Sequence, residues 1–345
     1  MVTREDVARK AGVSVSAVSR TLNERGYVAE DKKRAVIEAA RELGYRTTSV
    51  LTKNAKSKQL CFLNIDIFNP FYIQLFNIMC KQARERGYTL YLLHSFDEEM
   101  AQEMVMDGMI TDSESSALEV QKIAGEDFPL PIVSASYGLP IINTKKIRYV
   151  DVDSYQAMEI GIEYLQRHGH KKIAYATPYE YGFDANTVQS RNAAFEGIMR
   201  PVLGDKFRDY FMDPQNAVRD QLSLTSAQSG EMFYRDGMRS ADEFVRRKCD
   251  ATAIICFNDQ YALGLMHRLI QLDYKIPEDV SVMGIDGIDD RQFTKPLLTT
   301  VGMNIELLAS TCINNLIDMV EGKKVKTFTS IRPKLIHGDS VKELR

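Results

Sequence analysis

Between Ala11 and Arg20 the chain reads Ala-Gly-Val-Ser-Val-Ser-Ala-Val-Ser-Arg, short side chains closed by an arginine. Such residues have little to bury, so their chemistry is that of contact. Valine offers only apolar surface, which suits a thymine methyl; serine donates and accepts; arginine reaches guanine or phosphate. To present them, the neighbouring sequence must build a scaffold. Val7, Ala8, Ala11, Val13, Val18 and Leu22 recur at helical spacing and form a small core on either side of a turn at Gly12. This leaves Val15, Ser16, Ala17, Ser19 and Arg20 around the outer face of the second helix. Thr3, with Asp6 three residues on, opens the first helix, and Ser14 caps the second. Val28, Val36, Ile37, Ala40 and Leu43 extend the spacing into a third helix ending at Leu43-Gly44-Tyr45. The predicted module has the helix-turn-helix geometry that fits a DNA major groove.

Charge separates this module from the rest of the chain. Residues 1–58 carry 13 Lys and Arg against 7 Asp and Glu, whereas the whole chain has a net charge of −3. Phosphate binding needs local positive charge, so the acidic remainder does not exclude a nucleic-acid partner.

Residues 59–345 exceed what one core usually serves and suffice for two lobes. Short apolar runs alternate with helical patterns. Runs are expected at Leu60 to Ile67, Thr89 to His94, Asp107 to Thr111, Ile132 to Ser134, Lys172 to Thr177, Ala253 to Cys256 and Val280 to Ile285. Helices are expected at Phe71 to Arg86, Ser154 to His168, Ser190 to Met199, Gly237 to Arg247, Gln260 to Asp273 and Glu306 to Val320. Alternation of this kind predicts parallel sheets covered on both faces, with ligands at the carboxyl ends of the strands.

No phosphate loop, nucleophile elbow or zinc-protease motif is present, so catalysis is not expected, and neither a metal nor a cofactor. His168 and His170 flank a glycine at a helix end, where a stop or carbonyl-pairing role is expected. The five cysteines are widely spaced and expected to be reduced. The first residues carry no apolar leader and no run approaches a membrane span, which predicts a cytoplasmic location without membrane contact.

Several motifs carry a resemblance covering nearly the whole chain. They are Ala11-Gly12-Val13-Ser14, Val18-Ser19-Arg20-Thr21-Leu22-Asn23, Leu43-Gly44-Tyr45, Asn69-Pro70-Phe71, Gly169-His170-Lys171-Lys172-Ile173, Asn258-Asp259-Gln260-Tyr261-Ala262-Leu263-Gly264 and Val280 to Asp286. In order and spacing they resemble the lactose and galactose repressors, the LacI/GalR family of bacterial transcription regulators. The resemblance implies an all-α helix-turn-helix head over residues 1–46, a hinge over 47–59, and an α/β core over 60–345. The core would have two Rossmann-like lobes similar to periplasmic binding proteins. The first lobe would span about 60–168 and 301–328, the second about 169–300 and 329–345.

It further implies that Val15 and Ser16 read bases and that Arg20 faces the groove, with Ala17, Ser19 and Ser14 beside them. Tyr45, Asn23 and Thr3 would hold the DNA backbone. Two departures concern the hinge: Thr47-Thr48 replaces a Pro-Asn pair, and the minor-groove wedge falls on Asn54 or, one turn earlier, on Leu51. A third is Ala29, which stands where a serine or threonine cap would precede Glu30-Asp31. In the core the resemblance points to Arg191, Asn258 and Asp286 as effector contacts, with Phe71 at the pocket edge and Asp66 at a strand end. Ile305 stands where relatives often place an aromatic. Phe233 and Tyr234 are further candidates, for stacking or for packing. A forked donor, an amide and a carboxylate suit vicinal sugar hydroxyls. The competing readings are Arg191 as a surface base, Asp286 as a turn former, and one of Asn258 and Asp259 as a helix cap.

The expectation is therefore a repressor whose affinity for double-stranded operator DNA is set by a sugar bound between the lobes, acting as a homodimer. No coiled-coil heptads come after Gly338, so no tetramerisation helix is expected. The alternatives are a corepressor-dependent regulator, answering to a purine or a phosphoprotein, and a sugar-binding or sugar-processing protein.

Overall fold

The computed structural model describes residues 3–22, 26–43, 57–64, 66, 68–124, 130–136, 147–178, 186–213 and 229–344. Two compact units divide the chain: Met1–Gln59 together with Glu98–Asp107, and Leu60–Asp97 together with Gly108–Arg345.

In the first unit, α1 (Arg4–Ala11), α2 (Val15–Leu22) and α3 (Glu30–Glu42) enclose Val7, Ala8, Val18, Leu22, Val36, Ala39 and Ala40. Ala11, Val13 and Leu43 pack at its margin. Ile37 departs from the expected core set: it is 45% exposed, and Ala39 is buried instead. Val36, Ala39, Ala40 and Leu43 share one stripe of the helix, and Ile37 lies about 100° away from Val36. Thr3 starts α1 with a reciprocal cap, its Oγ1 accepting from Asp6 N at 3.3 Å and its own N donating to the Asp6 carboxylate at 2.9 Å. Gly12 ends α1 at φ +65°, a left-handed turn in which a side chain is strained. Further along this unit, the Asp107 carboxylate accepts from Ser57 N and Oγ, both at 2.9 Å, and from Lys58 N at 2.8 Å.

The second unit holds two six-stranded sheets. The first has the order β11-β5-β4-β3-β1-β2, from β1 (Gln59–Leu63), β2 (Thr89–Leu93), β3 (Gly108–Thr111), β4 (Ile132–Ser136), β5 (Ile147–Val152) and β11 (Phe328–Ile331). The second has the order β12-β10-β9-β8-β6-β7, from β6 (Ile173–Ala176), β7 (Phe211–Met212), β8 (Ala253–Cys256), β9 (Ser281–Asp286), β10 (Thr299–Gly302) and β12 (Lys334–Ile336). Pairing is parallel from β1 through β3, β4 and β5 to β11, and from β7 through β6, β8 and β9 to β10; β12 is antiparallel.

The helices of this unit are α4 (Pro70–Glu85), α6 (Glu114–Ala124), α7 (Ser154–Arg167), α8 (Asn186–Leu203), α9 (Ser229–Arg246), α10 (Asp259–Gln271) and α11 (Ile305–Val320), while α5 (Glu98–Glu103) falls in the first. The lobe boundaries differ from those expected. Helix α7 packs on β8, β9, β10 and β12, so the second lobe begins directly after β5 and not near residue 168. Residues 301–302 complete β10 of the second sheet, α11 packs on β3, β4 and β5, and β11 returns to the first sheet. Three connections thus join the lobes, after β5, β10 and β11. Helical periodicity reports which face of α7 is apolar, not which sheet receives it.

Candidate functional site

The predicted base-reading contacts of the head fall on one short helix. On α2, Val15 is 40% exposed, Ser16 and Arg20 are exposed, and Ala17 and Ser19 are half-buried, while Val18, Thr21 and Leu22 turn inward. Two further expected DNA contacts are engaged in capping. Ser14 Oγ accepts from Ala17 N at 3.1 Å, and Thr3 is held by Asp6. The Thr3 hydrogen bonds keep the Asp6 carboxyl below its ordinary range, so this cap persists as an ionised one. Asn23, Tyr45, Leu51 and Asn54 lie outside the described residues. The α3 start has no side-chain cap at Ala29, but Glu30 and Asp31 stand in its first turn, where the helix dipole favours acids.

The core site forms at the carboxyl ends of the strands. From the first lobe comes Asp66, three residues past β1. Its carboxylate accepts from Asn69 Nδ2 at 2.9 Å, while Asn69 Oδ1 caps α4 through Phe71 N at 3.0 Å. Asp112, directly after β3, is buried and accepts from Ser116 Oγ at 2.6 Å and Ser113 Oγ at 3.1 Å. Phe71 is 3% exposed and packs in the apolar core, edge-on to Tyr72 at 5.4 Å. It therefore offers no open ring face at the pocket edge. Its neighbour Tyr72 stands one residue further around α4, with its hydroxyl in the field of Asp112, Asp66, Asp286 and Arg191. Burial, reinforced by those carboxylates, raises the Tyr72 phenol well above its ordinary value, so it stays a neutral donor.

From the second lobe comes Arg191 on α8. It is 3% exposed, which removes the surface-base reading. Its guanidinium donates to the Phe257 carbonyl and, through Nη2 at 3.3 Å, to Asp286 Oδ1, and it lies 4.7 Å over the Phe257 ring. Asp286 ends β9 at φ +132° with Gly287 next in the chain, so it occupies a turn and faces Arg191 as well. Asn258 caps α10, its Oδ1 accepting from Tyr261 N at 2.8 Å, which leaves its amide nitrogen as the available donor. Asp259 is fully buried and structural: it accepts from Gly287 N at 2.7 Å, Ile288 N at 2.9 Å and Thr300 Oγ1 at 2.6 Å, fixing the loop after Asp286.

Beside Arg191, Asn192 is 9% exposed, and both polar atoms of its side chain lack hydrogen-bond partners among the described residues. Phe233 packs on Phe257 at 5.7 Å, whereas the Tyr234 hydroxyl pairs with His267. Ile305 is buried at the start of α11. His168 Nδ1 pairs with the Tyr164 carbonyl at 2.8 Å, in the role expected of it, and the neighbouring His170 bridges Thr252 and the Lys342 carbonyl. Tyr72, Asp112, Phe257 and Asn192 are not legible from the sequence as site residues. Only the position of Asp112 and Phe257 directly after apolar runs signals them.

Burial, only partly offset by Arg191, pushes the Asp286 carboxyl up to about 7 from the ordinary 3.8. The folded state thus holds this proton more tightly than the unfolded chain. Its contribution to stability is complete below about pH 4 and is lost as pH rises through about 7. Ligand binding runs the opposite way, because only the ionised carboxylate accepts two hydroxyls. We expect affinity for a hydroxyl-bearing ligand to rise between about pH 6 and 8, and Asp286→Asn to flatten that profile. Calorimetric titration across the range checks this; an unaltered slope in the variant would assign the proton elsewhere.

Residues 162–341 match the family described as periplasmic binding protein-like domain, and residues 3–48 match bacterial regulatory proteins, lacI family. The HTH-type transcriptional repressor PurR of Vibrio vulnificus is 26% identical over 355 residues, covering 100% of both chains. Among solved structures, a LacI family transcriptional regulator from Enterococcus faecium with bound ribose superposes with a TM-score of 0.68 at 21% identity, over 83% of this chain and 100% of that one. A transcriptional regulator CelR in complex with cellobiose superposes with a TM-score of 0.62 at 22% identity, over 99% of this chain and 100% of that one.

Proposed function

The chain belongs to the lacI family of bacterial DNA-binding transcriptional regulators, and from that premise we propose that it represses by binding operator DNA under the control of a small hydroxyl-rich effector. One observation supports the effector reading above the others. Arg191 and Asp286, a forked donor and a carboxylate, are buried together at the carboxyl ends of the second sheet and share their surroundings with Tyr72 and Asp66 of the first lobe. Groups from both lobes converge, so a ligand bridging them favours one lobe arrangement over another. Ribose and cellobiose occupy the solved relatives from Enterococcus faecium and CelR, which supports a sugar here. A ligand that tightens DNA binding and one that releases it use the same contacts; the sign of the response separates inducer from corepressor.

Binding sets the role of these residues, and no turnover is assigned to them. Among the described residues no helix is long and apolar enough to cross a membrane, in keeping with a regulator acting in the cytoplasm. A homodimer is supported by Ile73 on α4 with Tyr91 and Leu92 on edge strand β2, which are 43%, 48% and 38% exposed. Apolar residues on an open sheet edge favour a covering partner.

The test begins with a thermal-shift screen of mono- and disaccharides and purines against the full chain, then measures duplex binding with each hit. Stabilisation by a compound that also alters DNA affinity at least fivefold supports the reading; hits that leave DNA affinity unchanged contradict it. For the head, Arg20→Ala should weaken specific binding by about 1–3 kcal/mol with the fold retained. Fluorescence anisotropy on a selected duplex measures it, and unchanged affinity would reject α2 as the reading helix.

A further inference from the structure

The effector site uses the carboxyl ends of the first sheet; its opposite edge carries a second feature. Because β1, β3, β4, β5 and β11 are parallel, with Leu60 beside Gly108, Met109 beside Ile132, Ile132 beside Ile147 and Tyr149 beside Phe328, their amino-terminal ends line one edge. There a groove of about 520 Å³ runs between Leu130, Pro131, Arg148, Met319 and the segment Gly322 to Val325.

Among the described residues its charge is positive. Asp318 and Glu321 are matched by Arg86, at 2.9 and 3.1 Å, and by Lys323, at 3.0 and 2.8 Å. Lys324 and Lys326 are exposed and form no ion pair among the described residues, and Arg148 lines the wall. Lysines beyond those needed to balance neighbouring acids hold counterions that a polyanion releases on binding.

The occupant is set by chain topology. The chain arrives from the head at this same edge, entering β1 at Gln59, with Ser57 and Lys58 clamped by Asp107. Residues 47–59, expected to be the hinge, span at most roughly 45 Å when fully extended. A duplex held by the head is therefore joined, through that segment, to the edge at which β1 begins.

We propose that this groove, with Lys324 in its wall and Lys326 exposed two residues on, is a second DNA contact, its lysines taking backbone phosphates of the duplex whose bases α2 reads. It rests on the proposed DNA-binding role and adds affinity without sequence preference, since lysines on phosphates carry no base information.

The experiment uses the full chain and duplexes enriched by it from a random library of about 30 base pairs. Salt dependence of binding is compared for wild type, Lys324→Gln/Lys326→Gln and a control pair on the second lobe, Lys206→Gln/Lys275→Gln. For the groove pair the slope of log K against log salt should fall by about one to two, affinity at about 0.1 M salt should drop at least fivefold, and the enriched sequence should stay the same. The control pair should match wild type. Equal slopes in wild type and groove variant, or equal losses in both variants, would overturn the groove contact while leaving head recognition intact. A wild-type chain that enriches no duplex would overturn the DNA role and the groove with it.

Discussion

Replacing Arg191 by alanine is expected to weaken effector binding at least 100-fold while the chain still folds. The side chain is almost wholly buried, and its two terminal nitrogens are held by the Phe257 carbonyl and Asp286. Truncating one partner of a buried, hydrogen-bonded charge pair costs about 2–5 kcal/mol, because the other charge is left without compensation. Here that penalty on folding is relieved in part. The Asp286 carboxyl already sits at about 7, so it takes up a proton once the guanidinium is gone. A bound ligand has no such remedy, since a protonated Asp286 and an empty guanidinium position together remove the forked donor and an acceptor. Arg191→Lys separates charge from shape: it keeps the cation but loses the planar fork, and recovery below tenfold is expected. Titration of the hit from the sugar screen measures both variants. Full affinity in Arg191→Ala would remove Arg191 from the site.

The second large effect is on stability. Gly264 of α10 faces α9 so closely that an added Cβ would lie 1.9 Å from the Tyr234 carbonyl oxygen, and at Gly237 a Cβ would lie 2.1 Å from the Tyr261 oxygen. Both obstacles are backbone, so no side chain can swing aside. Gly264→Ala must force the helices apart, and overpacking of this kind costs about 3 kcal/mol or more. The displaced helices bear Asn258 and Asp259 at one end and Phe233 against Phe257, so the effector site is disturbed together with the fold. A fall in Tm of at least about 5 °C with weakened ligand response is expected. Ser240, also on α9 but hydrogen-bonded to the Tyr261 hydroxyl, provides a milder comparison: Ser240→Ala should lower Tm by less. If Gly264→Ala melts with wild type, the two helices are not packed backbone to backbone.

Where local pattern and tertiary fate agree, the sequence is readable. Helix α4, expected at Phe71 to Arg86, runs Pro70–Glu85, because a capping Asn-Pro pair and an uninterrupted apolar stripe define both ends. Strand β5 escapes a local reading, since Ile-Arg-Tyr-Val-Asp-Val mixes charges into a strand buried on both faces. Strands β11 and β12 are too short and exposed to stand out. Helix α6 opens on Glu-Ser-Ser, which reads as a turn until Ala117 and Val120 are seen to be buried.

The same distinction governs the site. Arg191 and Asp286 are legible through motifs, and Ser14 through its capping position. Phe71 and Tyr72 are adjacent aromatics, and the phase of α4 alone decides which enters the core. Asn258 and Asp259 likewise divide capping and loop anchoring in a way set by β9 and β10, which no local window contains.

The central claim is that occupancy of the core is coupled to the grip of the head on DNA. Its most direct test is anisotropy of a duplex enriched by the full chain, titrated with wild type and Arg191→Lys in the presence of ribose, cellobiose, lactose or a purine base. The account predicts that at least one compound shifts the wild-type Kd by fivefold or more and that the shift shrinks severalfold in the variant. A compound that shifts both proteins equally would place the controlling site elsewhere, and a wild-type Kd unmoved by any core-binding compound would break the proposed coupling.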